Sequence, residues 1–252
     1  MEQIFNVKGK SGFITGAGGG IGSFLAKELA KAGVNLALVD LDTQKVGPMA
    51  EELSGEFGVV TKAYACDVTD PESVKRMTER YSEDFPALDF AINNAGIANI
   101  EKAMDISYED FKKVVDVNLN GVFLCAQAAA RLMKGRGGSI VNMASMSAHI
   151  VNVPQTIANY CASKGGVKTL TKALAVEWAQ ENIRVNSVSP GYIATELVAG
   201  MKDYHPGWIS RIPMGRLGKP EDLIGLFVYL LSDASAYMTG SDLIIDGGYT
   251  SL

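Results

Sequence analysis

Short apolar runs alternate with longer amphipathic stretches along nearly the whole chain. The apolar runs are rich in Val, Ile, Leu and Ala, and they predict strands near 11–15, 35–40, 59–65, 88–92, 138–143, 183–189 and 242–246. The amphipathic stretches predict helices near 20–32, 43–57, 71–84, 107–133, 155–180 and 220–231, with a shorter one within 196–212.

This alternation predicts an α/β fold, a single-domain Rossmann-type doubly wound parallel sheet of seven strands with helices on both faces. The predicted strands are near-continuous in Val, Ile, Leu and Ala, as expected where helices cover both faces of a sheet. Because no linker or internal repeat interrupts the pattern, we expect one domain over 1–252. The segment 190–215 is a long irregular connection, and such connections in compact domains are usually functional.

The first predicted strand leads into a glycine-rich turn and then into a helix. Glycines let the backbone approach a pyrophosphate closely, and a helix N-terminus offers free N–H groups to it. The spacing T-G-x-x-x-G-x-G departs from the usual G-x-G-x-x-G, but the strand–turn–helix context predicts a dinucleotide-binding turn. Its residues are Thr15, Gly16, Gly18, Gly19, Gly20, Ile21 and Gly22.

The second predicted strand ends in Asp40, which is 18 residues after Gly22. A carboxylate at this place can accept hydrogen bonds from both hydroxyls of an adenosine ribose, and it would repel a 2′-phosphate. Leu41 follows, where a site for NADP often carries a basic residue. We therefore expect NAD as cofactor; the alternative is that Asp40 is a solvated strand end or a helix cap.

Tyr160 and Lys164 are four residues apart in a predicted helix, so their side chains lie on the same face. A nearby ammonium favours the phenolate and lowers the pKa of a tyrosine from its usual value of about 10. Such a tyrosine can take a proton from an alcohol or give one to a carbonyl. The spacing alone is common, and it predicts an acid/base pair only in combination with the other motifs.

Together these motifs resemble the compact branch of the short-chain dehydrogenase/reductase family, and the resemblance covers nearly the whole chain. Further segments stand in the family's order: Asp67-Val68, Asn93-Asn94-Ala95-Gly96, Asn118, Ser145, Pro190-Gly191 with Thr195, and Asp246-Gly247-Gly248. The resemblance implies a catalytic tetrad of Asn118, Ser145, Tyr160 and Lys164. In that tetrad Tyr160 is the acid/base and Lys164 lowers its pKa and binds the nicotinamide ribose. Asn118 bends its helix and holds a water that relays protons to Lys164.

The resemblance also assigns the cofactor contacts. Asp67 and Val68 hold the adenine, although Asp67 can alternatively cap the helix that starts at Pro71, a position that Asp70 could also fill. Small residues let the chain pass the adenosine ribose, namely Asn94, Ala95 and Gly96. The nicotinamide carboxamide is held by the segment containing Pro190, Gly191, Ile193 and Thr195.

Two serines compete for the role of holding the substrate oxygen. Ser145 lies 15 residues before Tyr160, whereas the family's commonest spacing of 13 residues gives Ser147. We predict Ser145 because it keeps its place relative to the strand end, and Ser147 remains the rival.

The segment from Ala144 to Gln155 resembles the polyol and ketose members of the family, the arabinitol, mannitol and sorbose-type dehydrogenases. Four of its side chains offer hydrogen bonds to several substrate hydroxyls, namely Ser147, His149, Asn152 and Gln155. His149 is equally well explained as a loop histidine without a ligand. The alternative functions are a 3-oxoacyl-carrier-protein reductase, a hydroxysteroid dehydrogenase and a non-catalytic nucleotide sensor.

Composition narrows the possible partners and location. The net charge of −5 argues against nucleic acid and anionic membranes, which require a basic face. The first residues have no features of a secretory signal, and the three cysteines and two histidines are scattered. We therefore expect a cytoplasmic protein without a metal site. Small residues are frequent in the predicted helices 107–133 and 155–180 and allow close helix approach. The resemblance implies that these helices pair across a two-fold axis, so we expect a homotetramer, with a small-molecule substrate as the other partner.

Overall fold

Seven parallel strands form a single sheet in the order β3-β2-β1-β4-β5-β6-β7. The strands are β1 (Ser11–Thr15), β2 (Asn35–Asp40), β3 (Thr61–Ala65), β4 (Phe90–Asn93), β5 (Gly138–Met143), β6 (Ile183–Pro190) and β7 (Asp242–Ile245). This computed structural model describes residues 2–252, apart from the side chains of Glu2 and Leu197. Met1, the first residue of the predicted domain, lies outside the described residues.

The helices are α1 (Gly20–Lys31), α2 (Thr43–Phe57), α3 (Pro71–Asp84), α4 (Tyr108–Val115), α5 (Gly121–Met133), α6 (Ala158–Trp178), α7 (Glu196–Ala199), α8 (His205–Ile209) and α9 (Glu221–Leu231). The single-domain α/β fold with seven parallel strands is confirmed. Across residues 2–252, no helix has both the length and the apolar character that crossing a bilayer requires.

The helix predicted over 107–133 is divided in the structure. Helix α4 ends at Val115, a π-helical turn spans Asp116–Asn120, and α5 begins at Gly121. Inserted π turns are rare and are often found at functional sites. Asn118 lies in this turn and is fully buried.

Side chains on alternate positions of each strand enter opposite cores, as the pleat of a β-strand requires. In β1, Phe13 packs with α3, α5 and α6, whereas Ile14 packs with α1, α2 and α9. Each face of the sheet is therefore covered by helices, and this explains why most strand positions are buried.

The sheet order places a crevice at the carboxyl ends of the strands. The chain runs outward from β1 to β2 and β3, and then returns to the other side of β1 as β4. Ligands of doubly wound sheets bind at such a switch point, outside the carboxyl ends. The glycine-rich turn follows β1, and the segment from Asn94 to Gly96 follows β4, so both lie at this point.

Candidate active site

A cavity of about 700 Å³ lies at the switch point. Most of the residues predicted to contact the cofactor line it, namely Gly16, Gly18, Gly19, Gly20, Ile21, Asp40, Leu41, Asp67, Val68, Asn94, Ala95, Gly96, Tyr160, Lys164 and Thr195. The structure thus brings together residues that are up to 179 positions apart in the chain, from Gly16 to Thr195.

The glycine-rich turn has the geometry that an approaching phosphate group needs. Gly16 and Gly20 have positive φ angles of 65° and 55°, which side chains other than glycine rarely adopt. A Cβ atom at Gly22 would lie 2.2 Å from the carbonyl oxygen of Gly16, so the turn closes only with glycine there. Gly19 caps α1 without a side-chain hydrogen bond, which leaves backbone N–H groups of the first turn for an anion.

Thr15 and Asn94 join the ends of β1 and β4. The hydroxyl oxygen of Thr15 accepts hydrogen bonds from the backbone N–H groups of Asn94 and Ala95, each at 3.1 Å. The Asn94 amide donates in return to the carbonyl oxygens of Thr15 and Gly16, at 3.1 and 3.0 Å. Thr15 therefore supports the wall of the cavity, and Asn94 both supports and lines it.

The carboxylate of Asp40 lies against the glycine-rich turn. Its Oδ2 atom accepts a hydrogen bond from the N–H of Gly18 at 2.8 Å. A Cβ atom at Gly18 would come within 2.8 Å of the same oxygen, so glycine is needed for this contact. The contact fixes the carboxylate at the end of β2, inside the cavity that Leu41 also lines.

Asp67 and Asp70 have different roles, which decides between the two interpretations of Asp67. Asp70 is the N-cap of α3 and accepts from the N–H of Glu72 at 3.0 Å. Asp67 accepts from the N–H and hydroxyl of Thr69, at 2.9 and 2.7 Å, and lines the cavity with Val68. Asp67 is therefore not the helix cap.

At the other end of the cavity, three of the four tetrad side chains meet. Tyr160 and Lys164 lie on one face of α6, with the Lys164 Nζ atom 5.6 Å from the centre of the Tyr160 ring. The Lys164 ammonium donates to the carbonyl oxygen of Met143 at 2.6 Å. Ser145 adjoins the Tyr160 phenol, and its choice over Ser147 as the catalytic serine stays a prediction.

Burial governs the ionisation of this pair. Desolvation raises the pKa of Tyr160, and the neighbouring Ser145 hydroxyl opposes that rise. Desolvation also lowers the pKa of Lys164 to about 8. The expectation that Lys164 lowers the pKa of Tyr160 is therefore not met here, because the ammonium lies beside the ring and donates to Met143.

Asn118 clamps the loop that follows β4. Its side-chain oxygen accepts from the N–H of Ile97 at 2.8 Å, and its amide nitrogen donates to the Ile97 carbonyl at 2.9 Å and to the Ser163 hydroxyl at 3.1 Å. A Cβ atom at Gly96 would lie 3.3 Å from Asn118 Oδ1 and 3.5 Å from Lys164 Nζ. Asn118 is thus close to Lys164, and the water relay between these two side chains stays a prediction.

The segment after β6 is divided between two cavities. Thr195 lines the main cavity opposite Gly20, whereas Gly191 and Ile193 line a smaller cavity of about 220 Å³. Pro190 is buried as the last residue of β6. Of the four residues expected to hold the nicotinamide carboxamide, the structure places Thr195 with the other cofactor residues.

His149 does not have the position expected of a substrate ligand. Its Nδ1 atom lies 3.0 Å from the Lys168 ammonium, which can only donate, so Nε2 carries the proton and donates to Asp242 at 2.6 Å. Asp242 also accepts from the hydroxyls of Ser187 and Ser189. Both ring nitrogens are engaged, so His149 ties the loop after β5 to α6 and β7. This favours the alternative of a loop histidine without a ligand over a substrate contact.

The other three predicted substrate residues are bonded mainly to one another and to aromatic residues. The Ser147 hydroxyl donates to Asn152, whose amide donates to Tyr192, and Gln155 accepts from both Tyr192 and Trp208. Ser147 and Asn152 already have hydrogen-bond partners within the protein, and both side chains are buried from solvent. They are therefore not free to bind substrate hydroxyls in this arrangement.

Sequence reasoning missed several residues that line the main cavity, among them Lys45, Lys113 and Met143. Met143 ends β5, and its position at a strand end was an available signal. Lys45 lies in the first turn of the helix after Asp40, and Lys113 precedes the π turn by one helical turn; neither carries a motif. Among residues 2–252, no group of three or more His, Cys, Asp or Glu side chains is arranged to hold a metal ion.

The cavity fits a nicotinamide dinucleotide. Positive-φ glycines and uncapped N–H groups suit the pyrophosphate, and Asp40 suits a ribose. A family model described as enoyl-(acyl carrier protein) reductase matches residues 16–250.

Named relatives match over nearly the full length. Sorbose reductase of Schizosaccharomyces pombe is 46% identical over 100% of both chains. A probable NADP-dependent mannitol dehydrogenase of Yarrowia lipolytica is 44% identical over 99% of this chain and 90% of its own. The crystal structure of a short-chain type dehydrogenase/reductase from Mycobacterium marinum superimposes with a TM-score of 0.96, at 47% identity, over 100% of this chain and 99% of that one. This chain belongs to the short-chain dehydrogenase/reductase family.

Proposed function

We propose that this protein is an NAD(H)-dependent oxidoreductase that interconverts a secondary alcohol and a ketone, with a polyol and its ketose as the substrate pair. The observation that carries the proposal is that Tyr160 and Lys164 line one end of a dinucleotide-sized cavity and that Ser145 adjoins Tyr160 there. Neither a binding module nor a nucleotide sensor needs a phenol at the cavity wall next to a serine hydroxyl and an ammonium.

Each side chain has a defined task. Tyr160 gives a proton to the carbonyl oxygen in reduction and removes it from the alcohol in oxidation, while Ser145 holds the same oxygen. Lys164 binds the nicotinamide ribose, and Asn118 holds the adjacent loop. The bound nicotinamide supplies or accepts the hydride. A tyrosine phenol has an ordinary pKa of about 10 and is protonated at neutral pH, so it can act as the acid in reduction. Burial raises the pKa of Tyr160 further.

The preference for NAD over NADP rests on Asp40. Its carboxylate is fixed against Gly18, at the place where an adenosine ribose would approach. A 2′-phosphate there would meet a negative charge. The relative from Yarrowia lipolytica is named NADP-dependent, so the proposal distinguishes this chain from that protein.

The substrate class is supported by the relatives. The names of two of them, sorbose reductase and mannitol dehydrogenase, refer to a ketose and a polyol. The segment from Ala144 to Gln155, which resembles polyol and ketose members, packs between the catalytic end of the cavity and the residues after β6. We extend the proposal to that class on these two grounds.

We further propose a cytoplasmic homotetramer. Several small residues that suggested helix pairing, such as Ala126 and Ala129, are buried within the chain. The support comes instead from exposed apolar side chains on α5, α6 and the edge strand β7, namely Phe123, Val176 and Ile244. Three free cysteines, two of them buried, suit a reducing compartment.

The test is a spectrophotometric screen of polyols with NAD⁺ and of ketoses with NADH, with steroids and acetoacetyl thioesters as alternatives. In the variant Tyr160→Phe, kcat should fall at least ~10², the low end of what a positioned acid/base contributes. NADH binding should stay within a few-fold. Tyr237→Phe, at a fully exposed tyrosine, is the matched control and should be unchanged. Near-normal turnover by Tyr160→Phe would remove the proposal.

A further inference from the structure

We infer that a buried hydrogen-bond chain fixes the direction in which the Ser145 hydroxyl points, and that an indole N–H at its far end sets that direction. We call it the serine–tryptophan chain; its members in order are Ser145, Ser147, Asn152, Tyr192, Gln155 and Trp208. The inference rests on the proposed function, because it assigns positioning residues to the same site.

The end of the serine–tryptophan chain that is farthest from Ser145 is a group that can only donate, the indole N–H of Trp208. The indole Nε1 of Trp208 lies 3.2 Å from Gln155 Oε1, and an indole N–H has no acceptor capacity. The contacting atom of Gln155 must therefore be its oxygen. The Tyr192 hydroxyl lies 2.8 Å from the same oxygen, so it must spend its single proton there.

This choice is passed on along the chain. With its proton on Gln155, the Tyr192 oxygen can only accept, so the Asn152 atom 2.9 Å away must be the amide nitrogen. The other end of Asn152 is then its oxygen, which accepts from the Ser147 hydroxyl at 2.5 Å. The oxygen of Ser147 is left as an acceptor for the hydroxyl of Ser145 at 3.1 Å.

The consequence reaches the reacting centre. The Ser145 oxygen accepts from the N–H of Ser147 at 3.1 Å while its proton points to the Ser147 oxygen. Ser145 is thus held by two contacts with Ser147, and it adjoins the Tyr160 phenol. The serine–tryptophan chain therefore fixes the place of the Ser145 oxygen at the reacting centre, and a bound carbonyl oxygen draws the Ser145 proton from Ser147. Preorganised polar groups account for much of enzymatic rate enhancement.

Burial makes the alternatives costly. Trp208 is 1% exposed, Asn152 3% and Ser147 5%, so water cannot easily replace a lost partner. The Trp208 ring also stacks on Tyr192, with ring centres 4.0 Å apart and planes 10° apart. The stack keeps the indole N–H in reach of Gln155, and it connects the segment containing α8 to the catalytic serine.

The first test is a double-mutant cycle on turnover. Tyr192→Phe keeps the ring but removes the hydroxyl, and kcat should fall about fivefold, the effect of one lost hydrogen bond, with NADH affinity unchanged. In a Ser147→Ala background, the same change should alter kcat by less than about twofold, because the chain is already cut. Tyr204→Phe removes a phenol from the same aromatic stack but outside the chain, and is the control expected to match wild type.

The second test does not depend on turnover. The protein has two tryptophans, so ¹⁵N-indole labelling gives two N–H signals, which Trp208→Phe assigns. Ser147→Ala should shift the Trp208 signal, although three residues intervene in the chain, and leave the Trp178 signal in place. If Ser147→Ala does not fold, Ser147→Cys replaces it in both tests. Additive effects in the cycle or an unmoved Trp208 signal would overturn the inference. Absence of polyol turnover in the wild type would instead count against the proposed function.

Discussion

Replacing Asp40 with asparagine tests cofactor choice at the carboxylate that contacts the glycine-rich turn. In the wild type the Asp40 carboxylate accepts from the N–H of Gly18 at 2.8 Å. Asparagine keeps an oxygen that can accept this bond and removes only the charge. A unit charge about 4 Å from another, at an effective dielectric near 20, changes the energy by about 4 kcal/mol. Because Asp40 is only half-buried and lines an open cavity, solvent and salt screen this value. We take about 1.4 kcal/mol, tenfold in affinity, as the smallest expected change.

The assay is a fluorescence titration of wild type and Asp40→Asn with NADH and with NADPH at one fixed ionic strength. The ratio of the NADPH to the NADH dissociation constant should fall at least about tenfold in the variant. Asp42→Asn is the matched control, since Asp42 caps α2 by accepting from Gln44 and asparagine caps equally well. A wild type that binds both cofactors equally, or a ratio that Asp40→Asn leaves unchanged, would refute the placement of the ribose at Asp40.

Two further predictions concern the catalytic residues, and a third concerns the assembly. Ser145→Ala should reduce kcat far more than Ser147→Ala, because Ser145 contacts Tyr160; the reverse order in steady-state assays would assign the reaction to Ser147. Burial lowers the pKa of Lys164 from 10.5 to about 8. Between these two pH values the side chain is protonated in the unfolded state and neutral in the folded state, so the folded protein gains stability as pH rises. In urea denaturation, the free energy of unfolding of wild type relative to Lys164→Met should therefore increase from pH 8 to 10.5, and a decrease would show that the ammonium is paired. Light scattering at micromolar concentration should give a mass near four times 26.8 kDa, and a monomeric mass would exclude the tetramer.

The fold could be predicted because its signals are local and repeated. Apolar runs and the 3.6-residue periodicity occur within single elements. Helix ends are local too: Asp70 begins α3 and Gly58 ends α2 through contacts with residues only a few positions away. The two main chemical motifs are local as well: the glycine turn spans eight residues, 15–22, and Tyr160 and Lys164 are four residues apart. Only the boundaries differed, as where the π turn divides the helix predicted over 107–133.

Contacts between distant residues could not be predicted in this way. The partner of His149 is Asp242, 93 residues further along the chain, and the partner of Asn152 is Tyr192, 40 residues further. No motif marks these pairs, because their spacing is set by how the loop after β5 packs on β6 and β7. A polar side chain near a catalytic serine is therefore open to two interpretations until its burial is known.

Burial decides between those interpretations for physical reasons. A polar group removed from water costs free energy unless it is hydrogen-bonded, so a folded protein satisfies such groups internally before a ligand arrives. Asn152 has both ends of its amide engaged and is 3% exposed, so a substrate hydroxyl could reach it only by displacing an existing bond. Ser145 differs, since it adjoins Tyr160 at the cavity as well as Ser147 inside the protein. A bound carbonyl oxygen at Ser145 therefore competes with the Ser147 oxygen for the hydroxyl proton of Ser145.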